Sequence, residues 1–125
     1  MYVVAAVAVC RNGVRLGKGR GFAEMEWAIL HEFGLVDTDT IVATTVHEAQ
    51  LLDERWLHPG LMENHDLPVD LIVTPQRIIN AKRKEAGIGK PRGGVLWDKV
   101  SDEMMNEIPI LGKLNEMGEL SSKEA

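Results

Sequence analysis

Hydrophobic and polar positions along the chain predict short strands separated by a helix. Residues 3–9, "VVAAVAV", are continuously apolar, as in a strand that is covered on both faces of a sheet. Residues 40–46, "TIVATTV", and residues 69–74, "VDLIVT", are two further runs rich in β-branched side chains. Strands that alternate with a helix over short connections predict βαβ units and a largely parallel sheet.

One helix is predicted over residues 22–33, because apolar side chains recur there every three or four residues. They are Phe22, Met25, Ala28, Ile29 and Phe33. Gly34 follows at the position where a glycine commonly ends a helix. Residues 11–13 predict a turn, and Pro109 suits the first turn of a final short helix.

Composition is that of a single globular domain. The chain has 125 residues, of which 45% are hydrophobic and 26% are charged. No apolar run approaches the roughly 20 residues that span a bilayer, so we expect no membrane segment. The one cysteine, Cys10, cannot form an internal disulfide, which favours a cytoplasmic location. We expect Cys10 to pack in the interior as a buried filler.

Charge is distributed unevenly. The net charge of −5 argues against general affinity for nucleic acid. Residues 1–22 nevertheless carry four Lys and Arg residues and no acid. Residues 82–94, "KRKEAGIGKPRGG", hold five cations among Gly and Pro, which predicts a mobile surface loop.

Residues 15–24, "RLGKGRGFAE", have the features of a loop that binds an anion. Three alternate glycines let the backbone approach an anion closely, and Arg15, Lys18 and Arg20 supply countercharge. The loop lies between a strand and a helix N-terminus, so we expect it at the carboxyl edge of the sheet. It would bind a polyphosphate there, with Glu24 holding its Mg²⁺. The alternative is a solvated turn in which Glu24 only complements the helix dipole.

The segments that follow the other two strands are predicted to lie at the same sheet edge. Residues 47–48 follow the second strand and residues 74–75 follow the third. His47 and Glu48 are adjacent and would point to opposite faces of a strand, so they cannot grip one metal together. We expect a polar role at the strand end for His47, and a capping or turn role for residues 65–66.

The loop resembles the signature of the 5-formyltetrahydrofolate cyclo-ligase family, also called methenyltetrahydrofolate synthetases. That signature reads Arg-Leu-Gly-x-Gly-x-Gly-Tyr-Tyr-Asp, and residues 15–24 look like it. Two further stretches resemble the family in the same order, "VHEAQLL" at residues 46–52 and "HDLPVDLIVTP" at residues 65–75. The resemblance covers residues 3–79, and the rest is similar to a divergent archaeal and eukaryotic branch of the family.

The resemblance implies a fold and an activity. The fold would be a three-layer α/β architecture with a mostly parallel sheet, of the NagB/RpiA/CoA-transferase type and N-terminally incomplete. Residues 1–80 would form the C-terminal part of this domain, residues 81–94 a basic loop and residues 95–125 a helical tail. The activity would be an ATP- and Mg²⁺-dependent ligation that converts a reduced folate, 5-formyltetrahydrofolate, to 5,10-methenyltetrahydrofolate.

The resemblance also assigns roles to individual residues. Those that would bind ATP are Arg15, Leu16, Gly17, Lys18, Gly19, Arg20, Gly21 and Phe22. Arg15 and Lys18 would also act in catalysis, and Glu24 would replace the family's metal-binding aspartate. Phe22 would stand where an aromatic side chain lines the site between nucleotide and folate.

Departures from the family pattern leave a second function open. Ala23 stands where the signature has its second tyrosine, and no second metal-site acid follows the third strand at residues 75–76. The N-terminal half of the family fold is also expected to be absent. The alternative is therefore a catalytically inactive nucleotide- or RNA-associated module, with residues 82–92 as its contact surface. We also expect uncovered apolar sheet surface, through which the protein forms a homodimer.

Overall fold

The computed structural model describes residues 1–19, 21–92, 95 and 100–124, with side chains up to residue 117. The chain forms two compact units, Met1–Gly94 and Val95–Ala125. The described part of the first unit contains, in chain order, β1 (Tyr2–Val3), β2 (Ala8–Val9), β3 (Arg15–Leu16), α1 (Phe22–Glu32), β4 (Val42–Thr45), β5 (Leu71–Val73) and β6 (Ile78–Asn80).

Four of these strands form the main sheet, in the order β1-β4-β5-β6. Strands β1, β4 and β5 are parallel, and β6 returns antiparallel to β5. Ala43 of β4 pairs with Val3 on one side and with Leu71 on the other. The predicted α/β class with a mostly parallel sheet is confirmed, and β1, β4 and β5 are adjacent in it. The short edge strand β6 was not predicted.

The prediction of one continuous strand over residues 3–9 is wrong. The chain leaves the main sheet after Val3 and enters a separate antiparallel sheet at Ala8, where β2 pairs with β3. The stretch is not covered on both faces either, because Val3 and Val7 are 62% and 48% exposed. An apolar run alone does not distinguish one buried strand from two short strands joined by an exposed bend.

The main core lies between α1 and one face of the main sheet. Trp27 of α1 is fully buried at its centre. The other members of this buried cluster are Val4, Val9, Val42, Val46, Leu67, Val69 and Ile72. The Trp27 indole N–H donates to the Pro91 carbonyl at 3.2 Å, and its ring meets Tyr2 edge to face, with 5.7 Å between centroids. Gly34, at φ 69°, follows the end of α1 as predicted.

The β2–β3 hairpin builds a smaller second core. Its turn is closed by the Gly13 N–H, which donates to the Cys10 carbonyl at 3.0 Å, so the predicted turn at residues 11–13 is confirmed. Cys10 is buried in a cluster with Ala8, Val14, Leu57 and Ile88. Its predicted role as a buried apolar filler is therefore confirmed.

The prediction of a surface loop over residues 82–94 is confirmed for residues 82–92, the part that the structure describes, but ion pairs tie this loop to the sheet. Arg83 and Lys90 each form an ion pair with Asp70 at 2.6 Å, and the Lys90 side chain is only 2% exposed. Two of the five cations in this segment therefore point inward and fasten it to the sheet. The cations that stay exposed are Lys82, Lys84 and Arg92.

Asp70 is the shared anion of this internal cluster. Burial by itself would raise the pKa of its carboxyl group. The Lys90 ammonium, the Val42 backbone N–H and the Arg83 guanidinium outweigh that effect and hold the pKa below its ordinary value. The Asp70 carboxylate is therefore ionised in the folded protein near neutral pH.

The described part of the second unit contains two helices, α2 (Asp102–Glu107) and α3 (Pro109–Glu124). The Ser101 hydroxyl accepts the Met104 N–H at 3.2 Å and caps α2. Helix α3 begins at Pro109 as predicted, but its 16 residues make it longer than the short helix expected there. None of the described helices is long and apolar enough to cross a membrane. Residues 93–94 of the predicted basic loop lie outside the described residues.

Candidate functional site

The glycine-rich loop connects β3 to α1. Arg15 and Leu16 belong to β3, so the connection itself is residues 17–21. Gly19 and Gly21 have φ values of 82° and 73°, in the left-handed region that favours glycine. Gly21 is the N-cap of α1 and has no side chain that could accept a hydrogen bond. The positive end of the helix therefore follows the loop without a side-chain cap.

Arg15 is a buried anchor at the start of the loop, and its side chain is 3% exposed. Its Nε donates to the Leu67 carbonyl and its Nη1 to the Ala5 carbonyl, both at 2.9 Å, and its Nη2 forms an ion pair with Glu24. Three of the five guanidinium N–H donors thus have internal partners. Because Ala5 lies just beyond the carboxyl end of β1, these contacts hold the start of the loop near that sheet edge.

Gly17 is the position where the loop backbone approaches Arg15 most closely. A Cβ atom at residue 17 would lie 2.9 Å from the Arg15 Nη1. The guanidinium cannot easily withdraw, because three internal partners hold it. Glycine is needed at residue 17 because a side chain would lack space. At residue 19 a Cβ would meet nothing within 4 Å, and glycine is favoured there because of the left-handed φ.

Glu24 lies in the first turn of α1, and its Oε1 accepts from Arg15. The side chain is 19% exposed, and its Oε2 has no hydrogen-bond partner within the described part of the chain. The described residues contain no group of three or more His, Cys, Asp or Glu side chains that could hold a metal ion. Mg²⁺ is usually coordinated by waters, substrate phosphates and only one or two carboxylates. A single glutamate with a free oxygen is therefore compatible with such a site.

The other predicted site residues lie at or near the surface. Leu16 is 49% exposed, Lys18 is exposed beside Gly19, and Phe22 is half-buried as the first residue of α1. Arg20 lies outside the described residues. Of the loop's two described cations, Lys18 faces solvent and Arg15 faces inward.

The predicted polar turns are confirmed. His47 is the N-cap of the 3-10 turn Glu48–Gln50, and its backbone N–H donates to the Gln50 Oε1 at 2.8 Å. Further along, the Asp66 Oδ2 accepts the Glu63 N–H at 2.9 Å in the turn that precedes β5. Both histidine-containing segments therefore serve local backbone hydrogen bonding.

Gln50 connects the segment after β4 to the segment after β1. Its Nε2 donates to the carbonyls of Ala6 and Val7, each at 3.2 Å. Arg15 holds the neighbouring carbonyl of Ala5, so two side chains from different elements fix residues 5–7. The sequence reasoning missed this role of Gln50. The spacing His47-x-x-Gln50, which is typical of a capping box, was the available signal for an ordered turn.

Glu48 connects the ends of β4 and β5. Its Oε1 accepts from the Thr74 hydroxyl at 2.9 Å and from the Arg77 Nε at 3.0 Å, and its Oε2 accepts from the Arg77 Nη2 at 2.9 Å. These bonds to Arg77, and then to Thr74, lower the pKa of the Glu48 carboxyl. The segments predicted to follow β4 and β5 along one sheet edge therefore meet there.

The glycine-rich loop and most of the sheet lie in the part of the chain that matches a known protein family. A family model described as the 5-formyltetrahydrofolate cyclo-ligase family matches residues 1–75. The chain belongs to this family, and the resemblance of its loop to the family signature is confirmed.

The relatives are described as methenyltetrahydrofolate synthase domain-containing proteins. The chain is 40% identical over 125 residues to the one from Mus musculus. The matched region covers 99% of this chain and 32% of that protein. It is 39% identical to the one from Bos taurus and 40% identical to the one from Danio rerio, covering 31% of each. The chain thus spans about a third of the length of these curated relatives.

Proposed function

We propose that the glycine-rich loop binds the phosphates of ATP in a methenyltetrahydrofolate synthase reaction. In this reaction 5-formyltetrahydrofolate would be converted to 5,10-methenyltetrahydrofolate with consumption of ATP. The observation that carries the proposal is the uncapped start of α1 after two left-handed glycines, beside the exposed Lys18. Free backbone N–H groups, a positive helix end and a cation together suit a phosphate group.

Within this site, Lys18 and Arg20 would meet the phosphate oxygens, with charge-assisted hydrogen bonds. Arg15 would act by position, because its buried side chain holds Glu24 and the carbonyls of Leu67 and Ala5. Phe22, half-buried at the start of α1, would line the site between nucleotide and folate.

Glu24 would contribute through Mg²⁺ bound to the nucleotide. Its Oε1 is held by Arg15, so its Oε2 is presented from a fixed position. When bound, the metal would neutralise the phosphate charge that develops during phosphoryl transfer. Since the chain spans a third of its relatives, the complete reaction and the folate contacts are proposed for the longer domain.

Isothermal titration calorimetry with ATP, with and without Mg²⁺, tests the proposal. A charge-assisted contact contributes about 1.5–3 kcal/mol, so Lys18→Ala should weaken ATP binding about tenfold or more. Lys84→Ala is the matched control, because Lys84 is also an exposed lysine but lies in the basic segment, and ATP binding should be unchanged. Glu24→Gln should weaken binding only when Mg²⁺ is present. Wild-type protein that binds no ATP would contradict the proposal.

A turnover assay separates the enzyme from an inactive binding module. The longer domain for which the reaction is proposed is incubated with ATP, Mg²⁺ and 5-formyltetrahydrofolate, and 5,10-methenyltetrahydrofolate is measured by absorbance. Product formation that is lost in Lys18→Ala would support the synthase. ATP binding without product would instead favour the catalytically inactive nucleotide-binding module.

A further inference from the structure

We propose that Gln50 is a positioning residue for ATP, which sets the start of the glycine-rich loop without touching the nucleotide. The inference rests on the proposed function, in which residues 17–21 bind the phosphates. Gln50 lies in the 3-10 turn that follows β4, and it acts through residues 5–7, which connect β1 to β2. Loss of its amide should therefore weaken ATP binding although the glycine-rich loop is itself unchanged.

Residues 5–7 are held by side chains, because they cross from the main sheet to the β2–β3 hairpin. Their three carbonyls accept hydrogen bonds, the first from the Arg15 Nη1 at 2.9 Å and the other two from the Gln50 Nε2 at 3.2 Å. Ala5 and Val7 are exposed. Exposed backbone between two sheets opens easily unless such bonds fix it.

This crossing segment is bonded directly to the start of the glycine-rich loop. The Val7 N–H donates to the Leu16 carbonyl at 2.7 Å. Leu16 is the last residue of β3, and its carbonyl shares one planar peptide unit with the N–H of Gly17. A shift of Val7 therefore reorients the Gly17 N–H. Backbone N–H groups are what the proposed site offers to phosphate oxygens, so their direction affects the affinity for ATP.

The two ends of the Gln50 amide have different partners. The Oε1 accepts the His47 N–H at 2.8 Å and closes the turn as part of a capping box, whereas the Nε2 donates to the two carbonyls. A glutamate at residue 50 would keep the first bond and lose the others, because a carboxylate has no N–H to donate. One substitution can therefore separate the role in the turn from the role in positioning the loop.

Calorimetric titration of the full chain with ATP tests the proposal. Gln50→Glu should raise the dissociation constant about three- to tenfold, because two neutral hydrogen bonds are lost while Arg15 still holds Ala5. Gln76→Glu is the matched control, since it adds the same charge in the turn between β5 and β6, at the same sheet edge. It should leave the constant nearly unchanged. Gln50→Met adds no charge and should weaken ATP binding as Gln50→Glu does.

Hydrogen exchange measures the positioning itself, without ATP. The Val7 N–H should exchange at least about tenfold faster in Gln50→Glu than in the wild type. The Val46 N–H, bonded to the Val73 carbonyl in the main sheet, should not change.

Three results would overturn the proposal: unchanged exchange at Val7, wild-type ATP affinity in Gln50→Glu, or equal weakening by Gln50→Glu and Gln76→Glu. Wild-type affinity in Gln50→Glu would mean that Gln50 serves the turn alone. A wild type that binds no ATP would contradict the proposed function instead, and the exchange at Val7 would then decide whether Gln50 positions the loop.

Discussion

Replacing Asp70 by asparagine tests whether charge holds the basic segment to the sheet. The Asp70 carboxylate pairs with the Lys90 ammonium and the Arg83 guanidinium at 2.6 Å each, and its Oδ2 accepts the Val42 N–H at 2.8 Å. The Lys90 side chain is 2% exposed, so its ammonium would stay buried without its anion. An uncompensated buried charge is among the costliest defects in a folded protein.

The expected cost follows from this burial. Removing one partner of a buried ion pair destabilises a protein by about 3–5 kcal/mol. Asparagine keeps one acceptor oxygen, and the Asp70 side chain is 21% exposed, so solvent screens part of the loss. We therefore expect Asp70→Asn to lower the free energy of unfolding by about 2–4 kcal/mol at pH 7.

The difference between wild type and Asp70→Asn should depend on pH. The folded-state pKa of Asp70 lies below its ordinary value of 3.8. Ionisation of Asp70 therefore stabilises the fold fully above that ordinary pKa, and this stability is lost as the pH falls through the folded-state pKa. The two free energies of unfolding should therefore converge as the pH falls below the ordinary pKa of 3.8 and through the lower folded-state pKa.

Urea denaturation followed by the fluorescence of the buried Trp27 measures this effect. Asp39→Asn is the control, because Asp39 is exposed, and it should change stability by less than about 0.5 kcal/mol. Hydrogen exchange adds a local test. The Ile88 N–H, bonded to the Arg83 carbonyl, should lose more protection than the Val46 N–H, bonded to the Val73 carbonyl. A loss below about 1 kcal/mol at pH 7 would refute this reasoning.

Two further substitutions probe the core and the loop. Thr44 is fully buried, and its hydroxyl has no hydrogen-bond partner among the described residues, so Thr44→Val should stabilise the protein by about 1 kcal/mol in urea denaturation. Gly17→Ala should destabilise it by about 1–3 kcal/mol in a thermal melt, because the new methyl group would press on the guanidinium of Arg15.

Each of these substitutions has a control in the same chain. Thr45→Val changes an exposed threonine next to Thr44 and should stay within about 0.5 kcal/mol of the wild type. Destabilisation by Thr44→Val would mean that the hydroxyl has a partner in the folded protein. At Gly89 a Cβ would meet nothing within 4 Å, so Gly89→Ala should be nearly neutral. Equal losses at Gly17 and Gly89 would contradict the role of close approach to Arg15.

Features that depend on neighbouring residues were predictable from the amino-acid sequence. The spacing of apolar side chains predicted α1, Gly34 marked its end, and two of the three β-rich runs became β4 and β5. The order of these elements predicted the parallel sheet, since βαβ connections have few alternatives. The loop signature predicted the family, because it is an unbroken stretch of residues 15–24.

Which charged side chains face inward depends on contacts between distant parts of the chain. Arg15 and Lys18 look alike in the sequence as loop cations, yet Arg15 is buried against Leu67, 52 residues away along the chain. In the same way Lys90 is buried against Asp70, whereas Lys84 in the same segment is exposed. Local patterns carry no information on such pairs, because the free energy that buries a charge comes from partners that the fold brings together.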